Sequence, residues 1–314
     1  GADLYRDFDA FRTNLGYVPQ DDIIHKELTV YKALDYAAQL RLPPDTTRPE
    51  RDARVREVME TLGLSERRDV SISRLSGGQR KRVSIGAELL TKPGLFFLDE
   101  ATSGLDPGTE SQMMRLLRKL ADQGHTVVLI THATKNVMLC DQVVFLAHGG
   151  YLAYYGPPDE ALAYFEVDDF DGIYQKLESE STPEAWAEKY RQSEQYRRFV
   201  VERLEEKYGP FKAGAAGAPQ PRPPTTAAPA RAGPAARSVS TLRQFRILSA
   251  RYLEIIRNDR INLALLFLIA PGLGTIDLIA WPRNLFDLRE GDSTRAMTMI
   301  FMAALIPFLV GALS

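Results

Sequence analysis

The chain has 314 residues, 45% of them hydrophobic and 25% charged, with a formal net charge of −2. That length suits about two domains of roughly 150 residues each, and a near-neutral balance supplies no global basic field for nucleic acid. Cys140 is the single cysteine, which excludes an intrachain disulfide, and His25, His125, His132 and His148 are scattered without metal-ligand spacing.

From residue 1 to about 165, short apolar runs alternate with helical patterns, as in an α/β domain. The first such run, in LGYVPQDD (15–22), leads to Gln20, whose amide oxygen is able to ligate Mg²⁺. DARVREVMETLGL (52–64) places its apolar residues at helical spacing. LSGGQ (75–79) then opens a basic helix that runs to Leu90. Amides at a helix N-terminus are unsatisfied and carry partial positive charge. Glycines there admit a phosphate closely and a serine hydroxyl adds a donor, which makes an anion site. By itself the same stretch is equally a loop and a cap.

GLFFLDEATSGLD (94–106) is an apolar strand ending in two carboxylates. A parallel sheet delivers such residues to its carboxyl edge, where ligands of open α/β sheets bind. Asp99 is placed to hold Mg²⁺ and Glu100 to polarise a water. The bland alternative is a strand end followed by an acidic turn. SQMMRLLRKLADQG (111–124) reads as a helix, and TVVLITH (126–132) as a strand ending in His132, a residue that is more often structural when alone. GLFFLDE and TVVLITH lack polar alternation, as the buried strands of a helix-covered sheet do. QVVFLAHGGYLAYYG (142–156) carries HGG between two apolar runs, a hairpin signal.

Residues 159–208 are charged and helix-prone; the part beyond 165, 166–208, reads as a solvated helical extension. The segment 209–238 is dominated by Ala, Pro and Gly, has no apolar set to bury, and reads as a disordered linker. Within 239–260, Leu242, Phe245, Leu248, Tyr252 and Ile255 share one helical face, with Arg243, Arg246, Arg251 and Arg257 around the rest. That is the pattern of a helix at a membrane surface, though a soluble amphipathic helix shares it. The run 261–281 has no Lys or Arg and a single charge, Asp277. As a helix it spans about 31 Å, close to a hydrocarbon core of about 30 Å. A second uncharged run covers 296–314, so 261–314 reads as the start of a membrane domain. The arginines before the first run place the N-terminal side in the cytoplasm.

Gln20, LSGGQ, LDEATSGLD and His132, in this order and at these spacings, resemble the nucleotide-binding domain of the ATP-binding cassette (ABC) family, over about half of the chain. Gln20 matches the Q-loop, Leu75–Gln79 the signature sequence and Leu95–Glu100 the Walker B strand with its glutamate. Ser103–Asp106 matches the D-loop and His132 the switch histidine. LTVYKALDYAAQLRLP (28–43) and GGYLAYYGPPDEALAYF (149–165) are similar to the G subfamily, as is the order of nucleotide domain, linker, connecting helix and spans. The resemblance implies an α/β P-loop NTPase-type fold with a helical subdomain, here 1–165, followed by transmembrane helices. It implies Glu100 and His132 as catalytic residues, and ATP contacts from Gln20, Ser76, Gly77, Gly78, Gln79, Asp99 and Asp106. Mg²⁺ is implied at Gln20 and Asp99. It further implies a half-transporter that pairs head to tail with a second nucleotide-binding domain, normally an identical chain. In such a pair the Ser76–Gly78 loop caps ATP held by the partner. The resemblance places such an assembly in the cell membrane with this domain in the cytoplasm, and implies export of a lipid or other hydrophobic compound.

One departure stands out. No G-x-x-x-x-G-K-[ST] occurs in the 314 residues, so the phosphate cradle and its lysine are missing. The expectation is a piece clipped at both ends, inactive by itself. The alternatives are a degenerate partner subunit that lends only its signature loop, and a soluble ATPase of the repair or chromosome type. No sustained heptads support the second.

Overall fold

The computed structural model describes residues 14–209, 240–259 and five isolated positions, 263, 264, 268, 297 and 300. Strands β1 (Leu15–Val18), β2 (Leu95–Asp99) and β3 (Thr126–Ile130) form a parallel sheet in that order. Val18 pairs with Leu98 and Leu98 with Leu129. One face of the sheet sends Val18, Phe96 and Leu98 into the core, and Gly16 keeps this face flat, since a Cβ there would lie 2.5 Å from Phe96 Cδ2.

Helices α1 (Val30–Arg41) and α2 (Arg48–Thr61) start where the sequence caps them. Thr29 Oγ1 accepts from the Lys32 amide, while Thr47 and Glu50 cap each other's backbone reciprocally. Together they cover α3 (Gly77–Leu89) through Leu34, Val58 and the following Leu62. All three side chains crowd Gly86, where a Cβ would meet them at 3.0–3.3 Å. Helix α4 (Pro107–Asp122) adds Met113, Leu117 and Leu120 to the same core.

The unbroken apolar runs of β2 and β3 suggest burial by helices, and among the described residues helices cover only one face. On the other, Tyr17, Val128 and Ile130 are 48%, 38% and 56% exposed. Successive strand residues point to opposite faces, so an apolar run marks both faces as able to be buried. Which face is buried depends on where the helices fall, and the described ones fall on the side of Phe96.

A second core forms around the hairpin of β4 (Val143–Ala147) and β5 (Tyr151–Gly156), which is antiparallel as the HGG signal indicates. Gly149 and Gly150 turn the chain with φ of 77° and 81°, a region glycine enters freely. Against the hairpin lie α5 (Pro158–Phe165), α6 (Phe170–Ser179) and α7 (Pro183–Arg191). A π-helical stretch, Arg197–Val201, leads into α8 (Glu202–Tyr208). The reading of 166–208 as a solvated extension is therefore corrected. Trp186, Tyr190 and Phe199 are buried, and the Tyr190 hydroxyl donates to the Tyr155 carbonyl at 2.7 Å. Phe165, at the proposed boundary, touches the rings of Phe145, Tyr154 and Trp186 at 5.4–6.0 Å. A few aromatics, each burying about 150–250 Å², outweigh the many charges that made the segment look solvated.

Helix α9 (Thr241–Asn258) belongs to a separate unit and presents Leu242, Phe245, Leu248 and Tyr252 as exposed side chains. Among the described residues no helix is long and apolar enough to cross a membrane. The linker at 209–238 and the runs 261–281 and 296–314 lie outside the described residues, apart from Gly209 and the isolated positions.

Replacing Trp186 by Ala is expected to cost about 3–5 kcal/mol. Denaturant unfolding followed by far-UV circular dichroism checks this; a solvated extension would show almost no change.

Candidate nucleotide site

The parallel register brings the ends of three strands to one edge. Gln20 follows β1, Asp99 ends β2, Glu100 follows it, and His132 lies two residues past β3. Glu100 is set by its backbone: its amide donates to the Ile130 carbonyl at 2.9 Å. Its φ is 45°, a left-handed value that strains a non-glycine residue. The chain then turns, with Ser103 N donating to the Glu100 carbonyl at 3.0 Å and Gly104 at φ 72°.

In this pose the Glu100 carboxylate has a partner on each side. Gln20 Nε2 donates to Oε2 at 3.1 Å, and His132 Nδ1 lies 3.5 Å from Oε1. On the neighbouring strand the Tyr17 hydroxyl donates to Asp99 Oδ2 at 3.4 Å. Thr102 and Thr131 hydroxyls meet at 3.2 Å beneath. The structure thus brings together Gln20, Glu100 and His132, with Asp99 beside them. Among the described residues no group of three His, Cys, Asp or Glu side chains forms a metal cage. One carboxylate with one amide still suits Mg²⁺, which keeps several waters and takes substrate phosphate oxygens.

Ser76 caps α3, and its hydroxyl accepts from the Gln79 amide at 3.3 Å while Gln79 Oε1 accepts from the Ser76 amide at 3.1 Å. The Gln79 side chain is occupied by this reciprocal cap. The Ser76 hydroxyl keeps its own hydrogen to donate, and Ser76 is exposed. Gly78 is buried, and a Cβ on it would lie 2.4 Å from Thr109 Cγ2. Its smallness is used in seating α3 against the start of α4. Asp106 is the N-cap of α4, accepting from the Gly108 and Thr109 amides at 3.1 Å each.

Three residues with a part in this region escaped the sequence reading: Tyr17, Asp22 and Lys81. Tyr17 is one more apolar-run residue, and Lys81 sits in a basic triplet that reads as a solvated face. Only the helical phase of α3 shows which of the three cations points inward.

The family model described as ABC transporter matches residues 1–103. The chain is 37% identical over 278 residues to the ABC transporter ATP-binding/permease protein Rv1747 of Mycobacterium tuberculosis, covering 88% of this chain and 29% of that protein. It is 40% identical over 167 residues to the broad substrate specificity ATP-binding cassette transporter ABCG2 of Bos taurus, covering 51% of this chain and 25% of the relative. With the ABC transporter G family member 28 of Arabidopsis thaliana it shares 39% over 163 residues, covering 50% and 15%. The chain spans less than a third of the length of each of these relatives.

Hydrogen bonds from the Thr109 hydroxyl and amide hold the Asp106 carboxyl below its ordinary range. Its contribution to stability is therefore complete above the unfolded-state value of about 3.9 and lost as pH falls through the lower folded-state value. Asp106→Ala should lower the melting temperature at pH 7, with the deficit narrowing below about pH 3.9. Asp106→Asn, an equally good cap, should keep the pH 7 value. Thermal melts of the three proteins across pH check both statements.

Proposed function

The chain belongs to the ABC transporter family and is G-like in type, and on that basis we propose that it is the ATP-binding and ATP-hydrolysing part of a membrane exporter for a lipid or other hydrophobic compound. The observation that carries the reading is the meeting of Gln20, Glu100 and His132 at the carboxyl edge of a parallel sheet. Glu100 is the group that polarises the attacking water, and His132 contacts the γ-phosphate side of the same water. Asp99 and Gln20 would hold Mg²⁺, which when bound neutralises phosphate charge. The capped N-terminus of α3, with Ser76 and Gly77 outermost, receives the γ-phosphate of ATP held by a second domain, head to tail, in a homodimer. Gly78, Gln79 and Asp106 serve by shaping that loop and the turn beside it.

The membrane part of the proposal rests on α9 and the apolar runs that follow it. Exposed Leu242, Phe245 and Tyr252 suit the headgroup boundary of a bilayer, and the arginines suit anionic lipid. The assembly would sit in the cell membrane with the nucleotide domain in the cytoplasm.

A partner subunit that lends only its Ser76 loop is the second reading. It is favoured by one observation, the exposed Ser76 at the capped N-terminus of α3, which can serve a partner's nucleotide without a cradle of its own. The test joins the chain to a segment that carries a phosphate-cradle motif and measures Mg²⁺-dependent ATP hydrolysis. The joined protein should turn over ATP, and Glu100→Gln should slow it by about 10²-fold or more. The chain alone should show no turnover. Hydrolysis by the chain alone that survives Glu100→Gln would overturn the assignment of Glu100.

For the membrane reading, a peptide of residues 239–260 should float with phosphatidylglycerol-containing vesicles. Changing Arg246 and Arg251 to Glu should cut that partition at least tenfold, since each basic residue is worth about 1 kcal/mol near an anionic surface.

A further inference from the structure

Lys81 lies on α3, five residues past the Ser76 cap, or about 7.5 Å along the helix. It is only 6% exposed. Its ammonium donates to the Gln20 carbonyl at 2.6 Å and to the Pro19 carbonyl at 3.3 Å. It also stands 3.8 Å from Asp22 Oδ1. Asp22 is held by the same helix from two more sides: Ser84 Oγ donates to Oδ1 at 3.1 Å, and Arg80 Nε is 3.7 Å from Oδ2. A lysine ammonium has three donors and no acceptor, and here three oxygens face it. That arrangement satisfies a charge which would otherwise be costly to bury.

The consequence concerns Gln20. Its backbone carbonyl is fastened to α3, while its side chain donates to Glu100 at 3.1 Å. A movement of α3 carries the loop 19–22 with it and alters the reach of the Gln20 amide to Glu100. We propose that Lys81 is a positioning residue that couples the Ser76 end of α3 to the Gln20–Glu100 contact of the same chain. Through it, occupation of the Ser76 loop by one nucleotide is felt at the site where another is hydrolysed. The proposal rests on reading Glu100 as the hydrolytic centre.

Two variants separate positioning from bulk stability. Lys81→Met keeps the length of the side chain and removes all donors; Lys81→Arg keeps the charge. In the full chain with Cys140 replaced by Ser, a nitroxide at the exposed position 21 reports the loop, and one at position 144 on β4 reports the hairpin. Lys81→Met should add a mobile component to the spectrum at 21 and none at 144, and Lys81→Arg should restore the immobile spectrum. An unchanged spectrum at 21, or loosening at both labels, would overturn the proposal.

In the hydrolysing protein carrying a phosphate cradle, Lys81→Met should raise the Mg²⁺ concentration for half-maximal ATPase by about tenfold, the lower end of the range for groups that orient metal ligands. Lys81→Arg should largely reverse the shift. A drop in maximal rate with the Mg²⁺ midpoint unmoved would sink the coupling role. If Glu100→Gln leaves turnover intact, the reading of the hydrolytic centre fails instead, and the nitroxide spectra still decide whether Lys81 positions the loop.

Discussion

The site depends on one constraint, the parallel register of β1, β2 and β3. Parallel pairing puts all three carboxyl ends on one edge, so residues 80 and 32 positions apart in sequence, Gln20, Glu100 and His132, become neighbours. The edge is made sharper at Glu100, whose amide still completes the ladder to Ile130 while its φ of 45° takes the chain out of the sheet. A residue with ordinary strand dihedrals would continue along β2 and carry its side chain past the edge. The strain, of order 1–3 kcal/mol, is sustained by a buried Ala101 and Thr102 directly behind it.

How much of this was legible in the sequence follows from the kind of signal each part leaves. The strand runs and the SGG cap are local patterns, and Gln20, Asp99, Glu100 and His132, though spread over more than a hundred residues, each stand at the end of such an apolar run. The fate of 166–208 is not local. Trp186 and Tyr190 lie four apart and Phe199 nine further on, too sparse to mark a face among so many charges. Their burial comes from a hairpin that ends at Gly156, thirty residues or more upstream. The second face of the sheet is illegible for a related reason, because Val128 and Ile130 are apolar whether a helix covers them or not.

Glycine and glutamine in the signature loop show a different limit. Gly78 has a use that any phosphate-binding argument overlooks, the close approach of Thr109. Gln79 closes the helix end on Ser76. A motif residue therefore divides between holding a ligand and holding the motif together, and the division appears only when neighbours from other elements are in view. The basic triplet after it divides in the same way. Arg80 donates to the Leu75 carbonyl at 2.9 Å, Lys81 turns inward to the Gln20 loop, and Arg82 reaches Gln112 Oε1 at 3.2 Å. Steps of about 100° per residue distribute three like charges over three faces of the helix, so each meets its own acceptors.

The Gln20–Glu100 contact has a chemical meaning beyond proximity. An amide offers donors on nitrogen and lone pairs on oxygen, pointing in different directions. With Nε2 committed to Glu100, Oε1 is turned away from that carboxylate, the orientation a cation ligand needs. Glu100 in turn keeps Oε1 toward His132, which leaves one carboxylate oxygen for an amide and the other beside an imidazole. If Gln20 is withdrawn, Glu100 loses a partner, and on the proposed assignment a Mg²⁺ ligand would move away with it. The loop that carries Gln20 is therefore where control of the site is most economically exerted, and that loop is held by Lys81 on the helix that begins at Ser76.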